Sequence, residues 1–395
     1  MALSRRAFLI LLAGTGLSAP VALAGPPNGT FALAGTVYPG RGTPLPGHAV
    51  LVRRGRIEGL VRARTVSDRP VVAPENGSIL PGVINAHCHN LYTVRDRRER
   101  WLDHGVTAIG DAGSPLKFLP ALLNSPSGQT ASASACGPML CPPGGYPLPV
   151  HSPEHALAVT SPDEGSDAVR KLADLGATRI KIAFEPGTLP GPWPLFDQAT
   201  AMAICDTAHR LGLAVRCHVE DLSGLEPALN AGADCIEHVP YRWHEHGIIR
   251  PILDPDGIPV PHYQRLLERM ALDGVTMTPT LDVFTRTPWN GPSLFEPVRA
   301  FHALGGRIAL GNDFPYRRTD AGMPVREMRL LAKAGLGQSA VIEAATATAA
   351  QVCGFRHRGR IAPGMAADLL AVGGAPSPDA LQDPVHVVKD GVFIR

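Results

Sequence analysis

Apolar and β-branched residues along this chain fall into short runs, and between many of these runs lie segments whose apolar positions recur every three or four residues. The short runs predict strands at Ser78–Ile84, Thr107–Asp111, Thr130–Cys136, Thr178–Ala183, Ala214–Val219, Cys235–Val239, Val275–Leu281 and Arg307–Asn312. The longer-period segments predict helices such as Gln198–Leu211, Gln264–Leu272 and Val325–Ala334. Strand and helix alternating in this way predict an α/β fold, a (β/α)8 TIM barrel over residues 81–357. The two ends of the chain have another texture. Phe31–Val37, His48–Arg53 and Arg56–Val61 read as strands between Gly and Pro turns, and Gly364–Val372 and His386–Ile394 repeat that pattern. They predict a small composite β-sandwich domain built from residues 25–80 and 358–395.

Five of the predicted barrel strands end in residues that suit a divalent metal: His87 and His89 around Cys88, then Lys181, His218, His238 and Asp313. Side chains alternate along a strand, so His87 and His89 share one face. Functional groups of such barrels gather at the C-terminal strand ends, where these segments finish. Lys181 lies between Ile180 and Ile182, and alternation points it into the barrel. Burial there would depress its pKa, and a neutral lysine can react with CO2 to give a carbamate able to bridge two cations. His218 and His238 would complete a nitrogen and oxygen ligand set typical of zinc. Asp313 could bind an ion, take a proton from water and pass it to a leaving nitrogen. The set implies a metal-dependent hydrolase.

Composition changes this picture mainly at the N-terminus. The chain has 395 residues and a formal charge of +2. Arg5 and Arg6 are the only charges in residues 1–24, so without that segment 35 basic residues face 35 acidic ones. That balance predicts a neutral surface, no nucleic-acid partner and, after signal removal, no membrane partner. Ser4-Arg-Arg-Ala-Phe-Leu9, an apolar stretch and Ala22-Leu-Ala24 predict a twin-arginine signal peptide at 1–24, hence a periplasmic or secreted bacterial protein. The seven cysteines are odd in number and form no CxxC pair. Cys88 and Cys217 read as core residues, while Cys136 and Cys141 share a loop and could pair in an oxidising compartment.

With these residues in view, the chain resembles the amidohydrolase superfamily, in its imidazolonepropionase-like and prolidase-like branch. The resemblance spans about Phe31 to Arg395. It is carried by Leu80-Pro-Gly-Val-Ile-Asn-Ala-His-Cys-His89, Gly105-Val-Thr-Ala-Ile-Gly-Asp111, Gly232-Ala-Asp-Cys-Ile-Glu-His238, Ala345-Thr-Ala-Thr-Ala-Ala350 and Gly359-Arg-Ile-Ala-Pro-Gly-Met-Ala-Ala-Asp368. It implies His87, His89 and Asp313 on one ion, His218 and His238 on a second, and Lys181 as a bridging carbamate. Two divalent ions are implied, Zn2+ first, with Mn2+, Fe2+ or Co2+ as substitutes. A metal-bridging hydroxide would hydrolyse a C–N bond of a small-molecule substrate: an amide, a lactam or a dipeptide such as Xaa-Pro. A mononuclear deaminase and an ester or lactone hydrolase of the same superfamily are the alternatives. A homo-oligomer is compatible with this reading. Asn85 departs from the family's usual Asp before the histidine pair, and Gly144-Gly-Tyr146 stands where relatives often have Gly-Gly-His.

Three long segments are expected to face substrate: Gly137–Glu164, Pro240–His262 and Asp282–Leu294. Tyr146, Tyr241, Arg242 and Trp243 are the candidate substrate contacts, with Phe284, Arg286 and Trp289 nearby. His244 and His246 read as surface or lid residues. Arg216 shares the face of His218, and its expected partner is a buried carboxylate such as Asp111.

Overall fold

A computed structural model describes residues 29–395 except 90, 92–94, 125–127, 188–191 and 288–290. The expected signal segment and Trp289 lie outside the described residues. The barrel strands are β1 (Val83–Cys88), β2 (Val106–Asp111), β3 (Ser132–Ala135), β4 (Ile180–Ala183), β5 (Val215–His218), β6 (Cys235–Glu237), β7 (Thr276–Thr278) and β8 (Arg307–Ile308). Parallel pairing joins β1 to β3 and, separately, β4 to β8. One seam closes where Thr178 N donates to Ala135 O at 2.9 Å. The other closes through Ala86 N to Leu310 O at 2.8 Å, Asp313 N to His87 O at 2.9 Å and His89 N to Phe314 O at 2.6 Å. The loop that carries Asp313 is thus stitched to the histidine pair by the barrel's own hydrogen bonds.

The run expected as one strand at Ser78–Ile84 is two. Ser78–Pro81 belongs to the small sheet, and the barrel strand begins at Val83 and continues to Cys88. Gly82 marks the break, since a Cβ there would sit 2.2 Å from the Thr107 side chain. At the terminal domain, hydrogen bonds join all eight strands into one continuous sheet. Strands from residues 30–81 lie beside Leu369–Val372, His386–Lys389 and Val392–Phe393. Phe31, Leu33, Val50, Ile57, Ile79 and Leu369 pack one buried cluster of this sheet. Ala32, Ala34 and Ala49 pack another, smaller one.

Helices start where the sequence supplies caps. Ser161 accepts from Glu164 N ahead of Pro162–Asp174, Asp197 from Thr200 N ahead of Gln198–Arg210, and Asp221 from Ser223 N ahead of Leu222–Ala231. Two segments expected as loops carry structure. Met139–Cys141 and Ala156–Ala158 add strands beside β4, and Asp282–Leu294 is largely occupied by helices Leu281–Thr285 and Gly291–Ala303. Cys136 and Cys141 are both buried and free rather than paired. No helix of the described residues is long and apolar enough to cross a membrane.

Candidate metal centre

Six side chains named from the sequence meet at the C-terminal mouth of the barrel. His87, His89 and Asp313 place ligand atoms within 4.8 Å of one another, and so do His218, His238 and Glu220, the last not among the residues expected from the sequence; Lys181 lines the same cavity. The two groups adjoin: ring centroids of His87 and His238 are 4.9 Å apart, and those of His218 and His238 are 4.5 Å apart. Two of these residues reach the site by breaking strand geometry. His238 has φ 73° and Asp313 φ 57°, both in the left-handed region that side-chain-bearing residues seldom adopt. Simple alternation would send Glu237 and His238 to opposite faces, but the turn at His238 lets both point inward.

Hydrogen bonds fix which nitrogen of the His87 and His89 rings faces the centre. His89 Nδ1 lies 3.2 Å from Gly113 O, and a carbonyl only accepts, so Nδ1 carries the proton. His87 Nδ1 donates to the Glu237 carboxylate, which Arg216 also engages. The Nε2 atoms of His87 and His89 therefore present lone pairs to each other at 3.2 Å. Asp313 Oδ1 stands 3.4 Å from both. Three electron-rich atoms in that arrangement repel one another unless a cation lies among them. His238 Nδ1 is held by Thr280 Oγ1 at 2.7 Å.

Orphaned atoms make the same point. Lys181 Nζ, His218 Nε2 and Asp313 Oδ1 are buried without a hydrogen-bond partner among the described residues. Of ten such buried side-chain atoms among the described residues, these three converge on one centre. The donor set of imidazoles, a carboxylate and an unpartnered lysine fits divalent metal ions.

Burial dominates the electrostatics. It drives the pKa of His87 down to about 4, aided by Lys181 and opposed by Glu237, so that the ring is neutral. Burial also lowers Lys181, against the attraction of Glu237. For Asp313 burial acts upward, but His87 and His89 outweigh it and hold the carboxylate below its usual range. An ionised carboxylate at that position can accept a proton.

The remaining expectations divide. Arg216 is buried, but its partner is Glu237 at 2.6 Å, with Ala86 O at 2.7 Å, and not Asp111. The β5–β6 register explains this: Arg216 pairs with Cys235 and His218 with Glu237, which puts the carboxylate one step along from the guanidinium. Asp111, held by Gly113 N at 3.2 Å, is raised to about 6 by burial. Tyr146 lines a cavity of about 350 Å³ at the barrel mouth and stacks on His218 with centroids 4.1 Å apart. Arg242 lines it too, but its guanidinium is already taken by Glu185 at 2.6 Å and Glu220 at 3.2 Å. Tyr241 backs the cavity, donating to Glu220 at 3.0 Å. Trp243 stands outside the lining and stacks on His262 instead. His244, in a small two-stranded ribbon with Ile249, binds Asp221.

Sequence reasoning passed over Glu185, Glu237, His151, Trp193 and Tyr316. Glu185 carried a usable signal, since residues 181, 183 and 185 share one strand face. It is raised to about 7, chiefly by burial and against Arg242. Glu237 was hidden by the turn at His238. His151 and Trp193 come from loops and Tyr316 from the short helical turn Tyr316–Arg318, and they line the cavity with Phe284 and Arg317.

Known proteins bear out the architecture. A Xaa-Pro dipeptidase crystallised with methionine in its active site superposes with TM-score 0.74 at 20% identity, covering 93% of this chain and 100% of that one. The Aspergillus niger (A. niger) ochratoxinase gives TM-score 0.73 at 20% identity, with 93% and 96% covered. An uncharacterised protein of Mycobacterium tuberculosis is 26% identical over 379 residues, 85% of this chain and 90% of its own length. The family model described as "Amidohydrolase family" matches residues 145–395, a stretch holding Lys181, His218, His238 and Asp313. With well over half its length matched, the chain belongs to the amidohydrolase family of metal-dependent hydrolases acting on carbon–nitrogen bonds.

Proposed function

We propose that this protein is a binuclear hydrolase that cleaves the amide-type C–N bond of a small substrate, about the size of a dipeptide or an N-acyl amino acid. The observation that carries the reading is the set of unpartnered atoms on Lys181, His218 and Asp313 beside two facing imidazole lone pairs. His87, His89 and Asp313 would hold one ion, His218 and His238 the other. Lys181 would join them after its neutral amine takes up CO2, giving a carbamate and releasing one proton. Zn2+ suits the donors, with Mn2+, Fe2+ or Co2+ as substitutes. Two bound divalent ions would make a water more acidic and polarise the scissile carbonyl.

The chain's own groups supply the rest. Asp313 accepts the proton of the attacking water and delivers it to the leaving nitrogen. Glu237, pinned by Arg216, keeps the His87 tautomer correct. Tyr146, Trp193, Tyr316 and Phe284 give the cavity aromatic walls that favour an apolar or aromatic substrate group. Arg317, whose guanidinium lies 6.0 Å from the Phe284 ring centroid, is the lining cation not enclosed by carboxylates in the way Arg242 is. Amide, lactam and Xaa-Pro substrates all fit this description, and the prolidase among the fold's relatives favours a dipeptide. Export through the twin-arginine route, supported by Ser4-Arg-Arg-Ala-Phe-Leu9, would place the enzyme in the periplasm or outside the cell.

The experiment is a metal count coupled to a substrate screen. Zinc-loaded protein prepared with bicarbonate is expected to hold two ions per chain and to turn over at least one of dipeptides, N-acyl amino acids or lactams. Asp313→Asn should lower kcat by roughly 100-fold or more. One ion per chain at saturation, or full turnover in that variant, rejects the binuclear assignment or the proton-transfer role respectively.

A further inference from the structure

The end of the barrel opposite the metal centre carries a concentration of arginine. Two cavities of about 480 and 370 Å³ share Gly354, Phe355, Arg356 and Arg358, forming one groove along the seam between barrel and terminal sheet. Arg179 lines it just before β4 and Gly212 just before β5, the strand ends opposite those bearing His218 and His238. Asp390 is the one carboxylate in the lining among the described residues. Lys389 and Arg358 already engage it, each at 2.8 Å.

Several guanidiniums of the groove are likewise occupied. Arg179 donates to the carbonyls of Thr178, Gln351 and Val352, and Arg41 pairs with Glu343. The guanidinium groups of Arg54, Arg356 and Arg360 have no hydrogen bond or ion pair among the described residues. Three unpaired cations at one concave site raise its potential and leave planar N–H donors available for oxyanions.

The hairpin turns beside the groove add a second observation. Arg54-Gly55 and Asp390-Gly391 both make two-residue turns with near-identical backbone, φ 49° and 77° against 49° and 78°. The turns touch, for a Cβ on Gly55 would lie 2.7 Å from Asp390 O. Asp-Gly is a favoured choice for such a turn, and arginine is a poor one at a left-handed position. Arg54 therefore holds a cation at the groove against local backbone preference.

We infer that this groove is a second binding site, for a soluble ligand carrying clustered phosphate or sulfate groups. The test uses zinc-loaded full-length protein and sucrose octasulfate as probe in isothermal titration calorimetry. One saturable site is expected, weakening as NaCl is raised. The variant Arg54→Asn with Arg356→Gln and Arg360→Gln should weaken binding at least tenfold while leaving turnover unchanged. Asn suits the turn, so Arg54→Asn alone should fold with equal or higher Tm yet bind less tightly. A control removing three charges elsewhere, Arg170→Gln with Arg269→Gln and Arg299→Gln, should bind within twofold of the parent. No saturable binding, or equal loss in both triple variants, overturns the site. Groove-dependent flotation with phosphatidylglycerol vesicles in the absence of sucrose octasulfate binding overturns the soluble ligand in favour of a lipid surface.

Discussion

Glu237 spends one carboxylate oxygen on Arg216 and the other on His87, so it controls a ring it does not itself outreach towards the cavity. Burial would raise its pKa, but Arg216 and Lys181 prevail and keep it ionised. Glu237→Gln keeps the shape and removes the charge that fixes the His87 tautomer. Metal affinity measured by equilibrium dialysis should fall roughly 10- to 100-fold, a typical cost for losing such an outer partner. Unchanged affinity would show that the His87 orientation is set by packing alone. Lys181→Ala should lose bound metal, and acetate added at high concentration should restore part of the turnover if a carboxylate is what the site lacks. No recovery would count against the carbamate. The residues that bring the site together were legible because each ends an apolar run, a feature local sequence records. Glu237 was not, since its inward direction depends on a left-handed backbone at the next residue that nothing in Cys-Ile-Glu-His announces.

Among the elements, the short helix Leu281–Thr285 begins without a capping side chain of its own. Glu327, from helix Val325–Lys333, supplies the acceptors, taking Leu281 N at 3.0 Å and Asp282 N at 2.6 Å. Burial lifts its pKa to about 8, despite the two backbone donors. The folded state then keeps a proton that the unfolded chain has released, so stability falls as pH rises from the ordinary glutamate range through about 8. Glu327→Gln removes this loss. Thermal melts between about pH 5 and pH 9 should show a smaller drop in Tm for the variant than for the parent. Equal drops would mean that other groups set the alkaline limb. The helix itself was not legible, because its cap comes from another element 45 residues away in sequence. Most of the barrel strands were, though several are shorter than their apolar runs: β8 keeps the ladder only at Arg307–Ile308, and the rest of that run forms the seam and the Asp313 turn.

Across the whole molecule, net charge proved a poor guide to surface charge, for neutrality overall coexists with an arginine-lined groove at one end. The α/β barrel was legible because strand and helix periods alternate along much of the chain, whereas the joining of the terminal strands into one sheet depends on pairing between residues about 290 positions apart, such as Leu370 and Leu80. Metal removal should act on the entire fold. Chelation leaves the facing lone pairs of His87 and His89 uncompensated, and at a thousandfold excess of metal over Kd binding contributes about 4 kcal/mol. The expected fall in Tm is on the order of 5 °C for each ion lost. The Asp313 loop closes the barrel through the carbonyl of His87 and the amide of His89. The ion and the last seam of the cylinder therefore guard each other. Proteolytic nicking of the chelated protein should begin around residues 310–316, and the loaded enzyme should resist cleavage there, which makes protease sensitivity at that stretch a reporter of whether the centre has been filled.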